Sequence, residues 1–384
     1  MRRMIERVLP RAACLFLLWA IASAADVTGL RQQSEVKITA QMTGAPFEGD
    51  NPPYIWAISF SPDGKSLAFG VQFARKKKER SFHSYLLVVS ADQPSVVLRK
   101  FETPTQAVSR NTIVWSSDSK FLAVTPWGDW DHAAVVDLDA GQLHVFLDRV
   151  GVSSCFGATG LLPGPRFVQR CTVKGSLDTA VRFLGIDGIV AQQWIFSGYV
   201  NLLHISPDGK MLALDFPGPA DQFPLLRPHD IVLFNIADRT ETRRWSLPEA
   251  RVYDGTFAKS GKAFCTVADP RSVGFEHEIV CREIATGAVI SKKIVPRGLV
   301  RMGATGNKLI LSHLGIVVLP FPLFGVKYFF THWDQIVSDQ QTGQTIAQWR
   351  MPKYDTAFES AVSENGEMVA IVESGILRVY RVGQ

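Results

Sequence analysis

Phe60-Ser61-Pro62-Asp63-Gly64-Lys65-Ser66-Leu67-Ala68 returns as Trp115-Ser116-Ser117-Asp118-Ser119-Lys120-Phe121-Leu122-Ala123 and as Ile205-Ser206-Pro207-Asp208-Gly209-Lys210-Met211-Leu212-Ala213. Shorter echoes stand at Phe257-Ala258-Lys259-Ser260-Gly261-Lys262 and Val362-Ser363-Glu364-Asn365-Gly366-Glu367. In each copy apolar residues alternate into a turn and out again. Pro presets φ, Asp bonds its own backbone and Gly permits positive φ, so every copy reads as a β-hairpin.

Anchored on the last motif residue, the five copies are spaced by 55, 90, 52 and 105 residues. Two spacings are double length, which predicts two degenerate copies. They fit at Leu162-Pro163-Gly164-Pro165-Arg166 and Ala304-Thr305-Gly306-Asn307-Lys308. The second residue after each anchor is then Leu67, Leu122, Val168, Leu212, Phe264, Ile310 and Val369, apolar in all seven. Two more strands follow each hairpin, as at residues 133–138 and 143–147 around the turn Asp139-Ala140-Gly141. Four strands in about 45–50 residues is a propeller blade. The expected fold is all-β: a seven-bladed β-propeller of four-stranded antiparallel blades. The last blade lacks its outer strand, and residues 35–42 (Glu-Val-Lys-Ile-Thr-Ala-Gln-Met) can supply it, closing the ring and removing its open edge.

Residues 1–24 have the pattern of a secretory signal peptide: Arg2, Arg3, Arg7 and Arg11, an apolar run over 12–22, then Ala22-Ser23-Ala24. The run is shorter than the ~20 residues of a spanning helix. Most of the apolar stretch follows Cys14, which therefore lacks the placement of a lipidated cysteine at the end of such a run. The domain reading is 1–24 signal peptide and 25–384 a single propeller, exported to the periplasm or the exterior. The signal carries +3 of the formal net charge of +5, so the remainder is nearly neutral and gives no whole-chain case for nucleic-acid binding. No later apolar run reaches spanning length, since 314–330 is broken by two prolines and a lysine.

The Ser-Pro-Asp-Gly-Lys-x-Leu-Ala repeat resembles that of TolB-type and WD-repeat-like bacterial propellers, over nearly all of the chain after the signal. The chain departs from true WD repeats. Trp130-Asp131 and Trp333-Asp334 stand before the third strand of their blades, and no Gly-His pair opens a blade. The resemblance implies the fold and leaves activity open, because propellers serve as scaffolds, receptors and enzymes.

Cys155 and Cys171, like Cys265 and Cys281, lie 16 residues apart. The first pair brackets the A–B turn of blade 3 and the second the B–C connection of blade 5, which places each pair directly opposite across adjacent strands. Two disulfides are expected, in keeping with an oxidising compartment. Four buried free thiols are the alternative. No Cys-x-x-Cys or flanking His pair marks a metal site.

Function is sought on the long, individual B–C loops, because binding concentrates in loops on a rigid scaffold. Arg75, Lys76, Lys77, Lys78 and Arg80 could meet an anionic surface, or be a solvated loop tip. Trp127 and Trp130 lie beside Asp129 and Asp131 in blade 2, as a sugar or cation site would have them, or pack ordinarily. The apolar insertion 314–330, with Phe321 and Phe324, either folds over the ring or forms an exposed patch. Asp254 and Glu359 both stand eight residues before their anchors, as a carboxylate pair near the channel. No nucleophile elbow, metalloprotease helix motif or phosphate loop occurs. The leading expectation is an exported interaction or scaffold module that binds a protein or envelope partner through its B–C face, without cofactor or nucleic acid. The alternative is a hydrolase or lyase acting on a sugar or peptide at the channel mouth.

Overall fold

The computed structural model describes residues 27–44, 53–73, 83–103, 112–125, 133–146, 151–162, 166–218, 227–258, 261–270, 276–296, 299–305, 308–321, 325–339, 342, 344–352 and 359–382. The chain enters through β1 (Val27–Thr28), β2 (Leu30–Lys37) and a single helical turn, α1 (Ala40–Thr43). Seven antiparallel blades follow. Blade 1 is β3 (Tyr54–Phe60), β4 (Ser66–Phe73), β5 (His83–Ser90) and β6 (Val97–Thr103). Blade 2 is β7 (Thr112–Trp115), β8 (Phe121–Thr125), β9 (Ala133–Asp137) and β10 (Gln142–Phe146). Blade 3 is β11 (Val152–Leu162), β12 (Arg166–Val173), β13 (Thr179–Gly185) and β14 (Val190–Phe196).

Blade 4 holds β15 (Asn201–Ile205), β16 (Met211–Pro217), β17 (Arg227–Asn235) and the first half of β18 (Glu241–Ala258). The second half of β18 is the inner strand of blade 5, with β19 (Ala263–Pro270), β20 (Glu276–Glu283) and β21 (Val289–Pro296). One strand thus leaves the rim of blade 4 and reaches the centre of blade 5 without interruption. Blade 6 is β22 (Leu299–Thr305), β23 (Lys308–Phe321), β24 (Gly325–Asp339) and β25 (Thr345–Pro352). Blade 7 is β26 (Glu359–Val362), β27 (Met368–Glu373) and β28 (Ile376–Val382), completed by β2.

The repeat forms its hairpins through its serine. Ser61 Oγ donates to Asp63 Oδ1 at 2.6 Å and accepts from the Ser66 amide at 2.9 Å, while Asp63 Oδ1 accepts from the Lys65 amide at 3.0 Å. Ser116 with Asp118, Ser206 with Asp208 and Ser363 with Asn365 repeat these bonds, and all four serines are buried. Both degenerate copies are hairpins as well, β11–β12 and β22–β23. Of the seven residues taken as core markers, six are at most 1 % exposed. Ile310 is only half-buried, flanked by buried Leu309 and Leu311. The blade 6 turn is shorter, with Thr305 directly opposite Lys308, and a one-residue change of phase exchanges strand faces.

Seven apolar clusters lie one between each pair of neighbouring blades, so the core is itself a ring. The largest joins blade 7 to blade 1. In blade 1 the Trp56 indole occupies the space above Gly70, where a Cβ would come within 1.9 Å of it. That position admits only glycine while Trp56 stays in place.

An N-terminal strand closes the ring, as expected, but it spans Leu30–Lys37 instead of residues 35–42. The pairing runs Leu30↔Val382 to Lys37↔Ile376, and residues 40–43 are helical instead of extended. The strand is polar over Arg31 to Ser34 because an outermost strand needs few apolar residues; Val36 and Ile38 carry its contact with the core. Ahead of it, β1 pairs Val27 with Trp349, adding a fifth strand to blade 6 and tying blades 6 and 7 together. The four cysteines are not free thiols. Cys155–Cys171 crosses β11 and β12, Cys265–Cys281 crosses β19 and β20, and each pair stands directly opposite in the ladder.

Candidate functional site

The A–B and C–D turns share one face of the ring, and the B–C and D–A connections share the other. On the first face the serine-centred turns repeat the same bonds, which is structural chemistry. The second face differs from blade to blade. Blade 7 turns in two residues, 374–375, whereas blades 1 and 4 use residues 74–82 and 218–226.

The best-defined part of this face lies at blades 3 and 4. The B–C turn and the following D–A connection of blade 3 are bound to each other: Gly198 N donates to Asp178 Oδ1, Thr179 Oγ1 donates to Gly198 O, and Val200 N donates to Thr179 Oγ1, each at 2.9 Å. This lattice presents Leu177, 83 % exposed, and Tyr199, 50 % exposed. The buried Arg170 guanidinium lies 4.9 Å from the Tyr199 ring centroid and donates to Val200 O and Asn201 Oδ1 at 3.2 Å. Asn201 Nδ2 donates to Asp215 Oδ2 at 3.0 Å, and Asp215 Oδ1 lies 2.7 Å from His229 Nδ1.

Arg170, Asn201, Asp215 and His229 therefore form one polar chain through three strands of blade 4 and one of blade 3. Asp215 is fully buried and His229 nearly so, and a carboxylate in an apolar interior persists only when both oxygens are bonded. The chain fixes the ends of β16 and β17, hence the roots of the blade 4 B–C loop. Sequence reasoning missed it. The available signal was Asp215 itself, a charge inside Leu212-Ala213-Leu214-Asp215-Phe216, a strand otherwise suited to complete burial.

The apolar insertion of blade 6 is a hairpin. β23 and β24 pair from Lys308↔Asp339 outward to Phe321↔Gly325. Their flanking strands stop at Leu299↔His313 and His332↔Pro352, so residues 314–321 and 325–331 continue as a two-stranded ribbon. Among the described elements, β23 and β24 pair with each other and with β22 and β25. Phe321 ends β23. Trp333-Asp334 falls inside β24 instead of before it, because the strand begins already at Gly325. At the ribbon's root, Asp334 Oδ1 accepts from Arg350 Nε at 3.0 Å. Arg75, Lys76, Lys77, Lys78, Arg80, Trp127, Trp130 and Phe324 lie outside the described residues.

Asp254 and Glu359 do occupy equivalent ladder positions, opposite Val267 and Val372, each five residues past its anchor. Asp254 Oδ1 accepts from the Gly255 amide at 2.8 Å. Glu359 lies near Tyr54 of blade 1; burial first, and then this carboxylate, push the Tyr54 phenol above its usual range. Among the described residues no group of three or more His, Cys, Asp or Glu side chains is placed to hold a metal ion.

No family model matches the chain, and no curated protein does. Solved structures resemble it in fold. The β-propeller domain of Cps50 (Swd1) from Myceliophteria thermophila aligns with a TM-score of 0.54 at 10 % identity, covering 92 % of this chain and 99 % of that one. The Dos1 propeller gives 0.53 at 8 % identity, with 92 % and 95 % covered. Hydrazine synthase from Kuenenia stuttgartiensis gives 0.51 at 15 % identity, with 88 % and 98 % covered. The chain shares with all three the propeller fold.

Proposed function

We propose that the chain is an exported interaction module of the TolB-like kind, without catalytic activity of its own, which docks a protein or envelope partner on its B–C face. The observation that carries this reading is the asymmetry of the two faces. Serine-centred turns with the same bonds recur in four blades on one, and individually shaped connections make the other, including an exposed Tyr199 and Leu177 on a hydrogen-bonded base and a two-stranded ribbon in blade 6. Rigid scaffolds with individual loops on one side bind through that side. Two intrachain disulfides and the Arg-rich, apolar and Ala-Ser-Ala order of residues 1–24 support export.

The test is affinity capture from envelope extracts by the immobilised chain without residues 1–24. Three variants are compared: Leu177→Asp with Tyr199→Ala, removal of residues 316–329, and Arg75, Lys76, Lys77, Lys78 and Arg80 all changed to Gln. At least one variant loses the captured component while keeping the parental melting temperature. Undiminished capture by all three would falsify docking on this face.

A further inference from the structure

We infer that the B–C end of blade 1, on the side turned to blade 2, is a binding site for a small neutral molecule rich in hydroxyl groups, a sugar or polyol. The inference goes beyond the docking face proposed above and shares no residue with the variants that test it.

Four polar side chains stand in one row there. The ladder sets Tyr54 opposite Gln72, Gln72 opposite Ser84 and Ser84 opposite Thr103. Directly opposed residues share a face of the sheet, so the row crosses all four strands, about 14 Å at the usual strand spacing. That face is turned to blade 2, because Trp56, Leu86 and Phe101 on it pack in one cluster with Ile113 and Leu122 of that blade. Gln72, Ser84 and Thr103 are at most 6 % exposed, and Tyr54 at the inner end is half-buried.

Partners within the chain are missing here. Among the described residues seven buried side-chain polar atoms have no hydrogen-bond partner, and three of them are Ser84 Oγ, Thr103 Oγ1 and Trp56 Nε1. The other four fall one each in blades 3, 4, 6 and 7. Buried hydroxyl and indole N–H groups are normally bonded, so three orphans on one face of one blade point to a partner from outside the chain. Two local departures from a regular strand pair put Trp56 among them. It is the extra residue of a bulge in β3, between Ile55 opposite Val71 and Ala57 opposite Gly70. Its indole lies over Gly70, nearest through Cε2, the carbon that carries Nε1. Bulges re-aim a side chain in this way beside functional sites. The row is no requirement of the fold either: at the position of Gln72, seven residues past the anchor, the other serine-turn blades have Trp127, Pro217 and Ser374.

The chemistry of the row selects the ligand. Serine and threonine hydroxyls donate and accept, the glutamine amide does both, and the indole only donates. Burial first, and then Glu359, push the Tyr54 phenol above its usual range, so it stays a neutral donor and acceptor. The row itself carries no charge, and Glu359 beside its inner end opposes an anion. A hydroxyl-rich ring matches this set, because each of its hydroxyls also donates and accepts. Its C–H groups meet the apolar floor of Trp56, Leu86 and Phe101. Entry is past half-buried Tyr54, at the channel end of the row.

The experiment is isothermal titration calorimetry of the purified chain without residues 1–24 with glucose, N-acetylglucosamine, maltose and myo-inositol, and with gluconate as the anionic comparison. At least one neutral probe is expected to bind at millimolar concentration or below, at least tenfold more tightly than gluconate. Ser84→Ala with Thr103→Val removes both orphan hydroxyls at nearly constant shape. This double variant weakens the probe at least tenfold. It leaves the melting temperature of the unliganded chain unchanged or higher, because buried groups without a partner in the chain do not stabilise it. Gln72→Leu weakens the probe to a similar degree. No binding of any neutral probe, parental affinity in either variant, or tighter binding of gluconate overturns the inference. A clear fall in the double variant's melting temperature overturns it as well, since the hydroxyls would then serve the blade itself.

Discussion

At the scale of single residues, four of the hairpins depend on a serine whose hydroxyl joins both sides of the turn. Ser206→Ala leaves the Met211 amide and the exposed Asp208 carboxylate without that partner, at a cost of about 0.5–1.5 kcal/mol. Blade 2 has Ser119 at φ +60°, where the equivalent Gly64, Gly209 and Gly366 have φ between +67° and +71°. Ser119→Gly is expected to stabilise by about 1 kcal/mol, as the left-handed backbone no longer opposes a Cβ. Denaturant midpoints for the two variants should move in opposite directions. The buried Asp215–His229 pair calls for a different comparison. Asp215→Ala removes the partner of His229 Nδ1 and of Asn201 Nδ2 and costs about 3–5 kcal/mol, whereas Asp215→Leu with His229→Phe recovers most of that loss, because both buried polar partners are replaced by apolar groups together. Urea unfolding of the two variants decides it, and equal destabilisation would argue against the pair as the cause. This chain of residues escaped the sequence reading for a geometric reason. His229 is diagonal to Asp215 across β16 and β17, opposite Pro217, and Arg170 comes from another blade, so no local spacing records the contact.

At the scale of elements, what was legible was what is local. Turn chemistry repeats in sequence, so all seven A–B hairpins were found, two of them by spacing alone. The cysteine pairs followed because each spans one hairpin. Breaking one, as Cys265→Ala with Cys281→Ala, is expected to cost about 2–4 kcal/mol, the usual yield of closing a loop of this length. A lower melting temperature for this variant, and for the parent in dithiothreitol, checks the prediction. The ribbon was legible only as an apolar insertion, since a continuous apolar run has no period that distinguishes strand from loop. Element-level electrostatics are small by comparison. Arg244 on β18 bonds Asp230 at 2.6 Å and Glu241 at 2.7 Å. The Ser246 hydroxyl and then Arg244 hold Asp230 below its usual range, and Arg244 does the same for Glu241. Depressed carboxylates add stability above their ordinary values near pH 4, and it is lost as pH falls through the lower folded values. Arg244 is 45 % exposed, so screening holds the contribution to about 1 kcal/mol or less. Arg244→Met should lower the melting temperature slightly at pH 7 and cease to matter near pH 2.

At the scale of the whole molecule, stability depends on whether the ring is closed. Each blade packs on two neighbours through one of the seven clusters, and the blade 7 to blade 1 contact is the largest of them. It includes residues brought from the N-terminal segment: Val36, Ile38, Ala40 and Met42. β2 also satisfies the outer edge of β28 and places Glu35 Oε2 2.7 Å from Arg378 Nε. Deleting residues 27–44 exposes that edge and strips one side of the cluster. Ile38 alone is worth ~2 kcal/mol of buried apolar surface, and the seven paired positions of β2 go with it, so a loss of about 5 kcal/mol or more is expected, with a broadened unfolding transition. The geometry supplies the control. Leu30 stands opposite Val382, so the C-terminal end of β28 and the start of β2 are already arranged as the two arms of a hairpin. A permuted chain that begins at residue 53 and appends residues 29–44 after Gln384 through a short Gly-Asn-Gly turn restores the closing strand from the other end. It should melt within a few degrees of the parent. If the deletion melts like the parent, closure by β2 does not stabilise the ring; if the permuted chain melts like the deletion, the loss comes from cutting the chain before residue 53 or from removing β1, whose pairing with β25 the permuted chain also lacks.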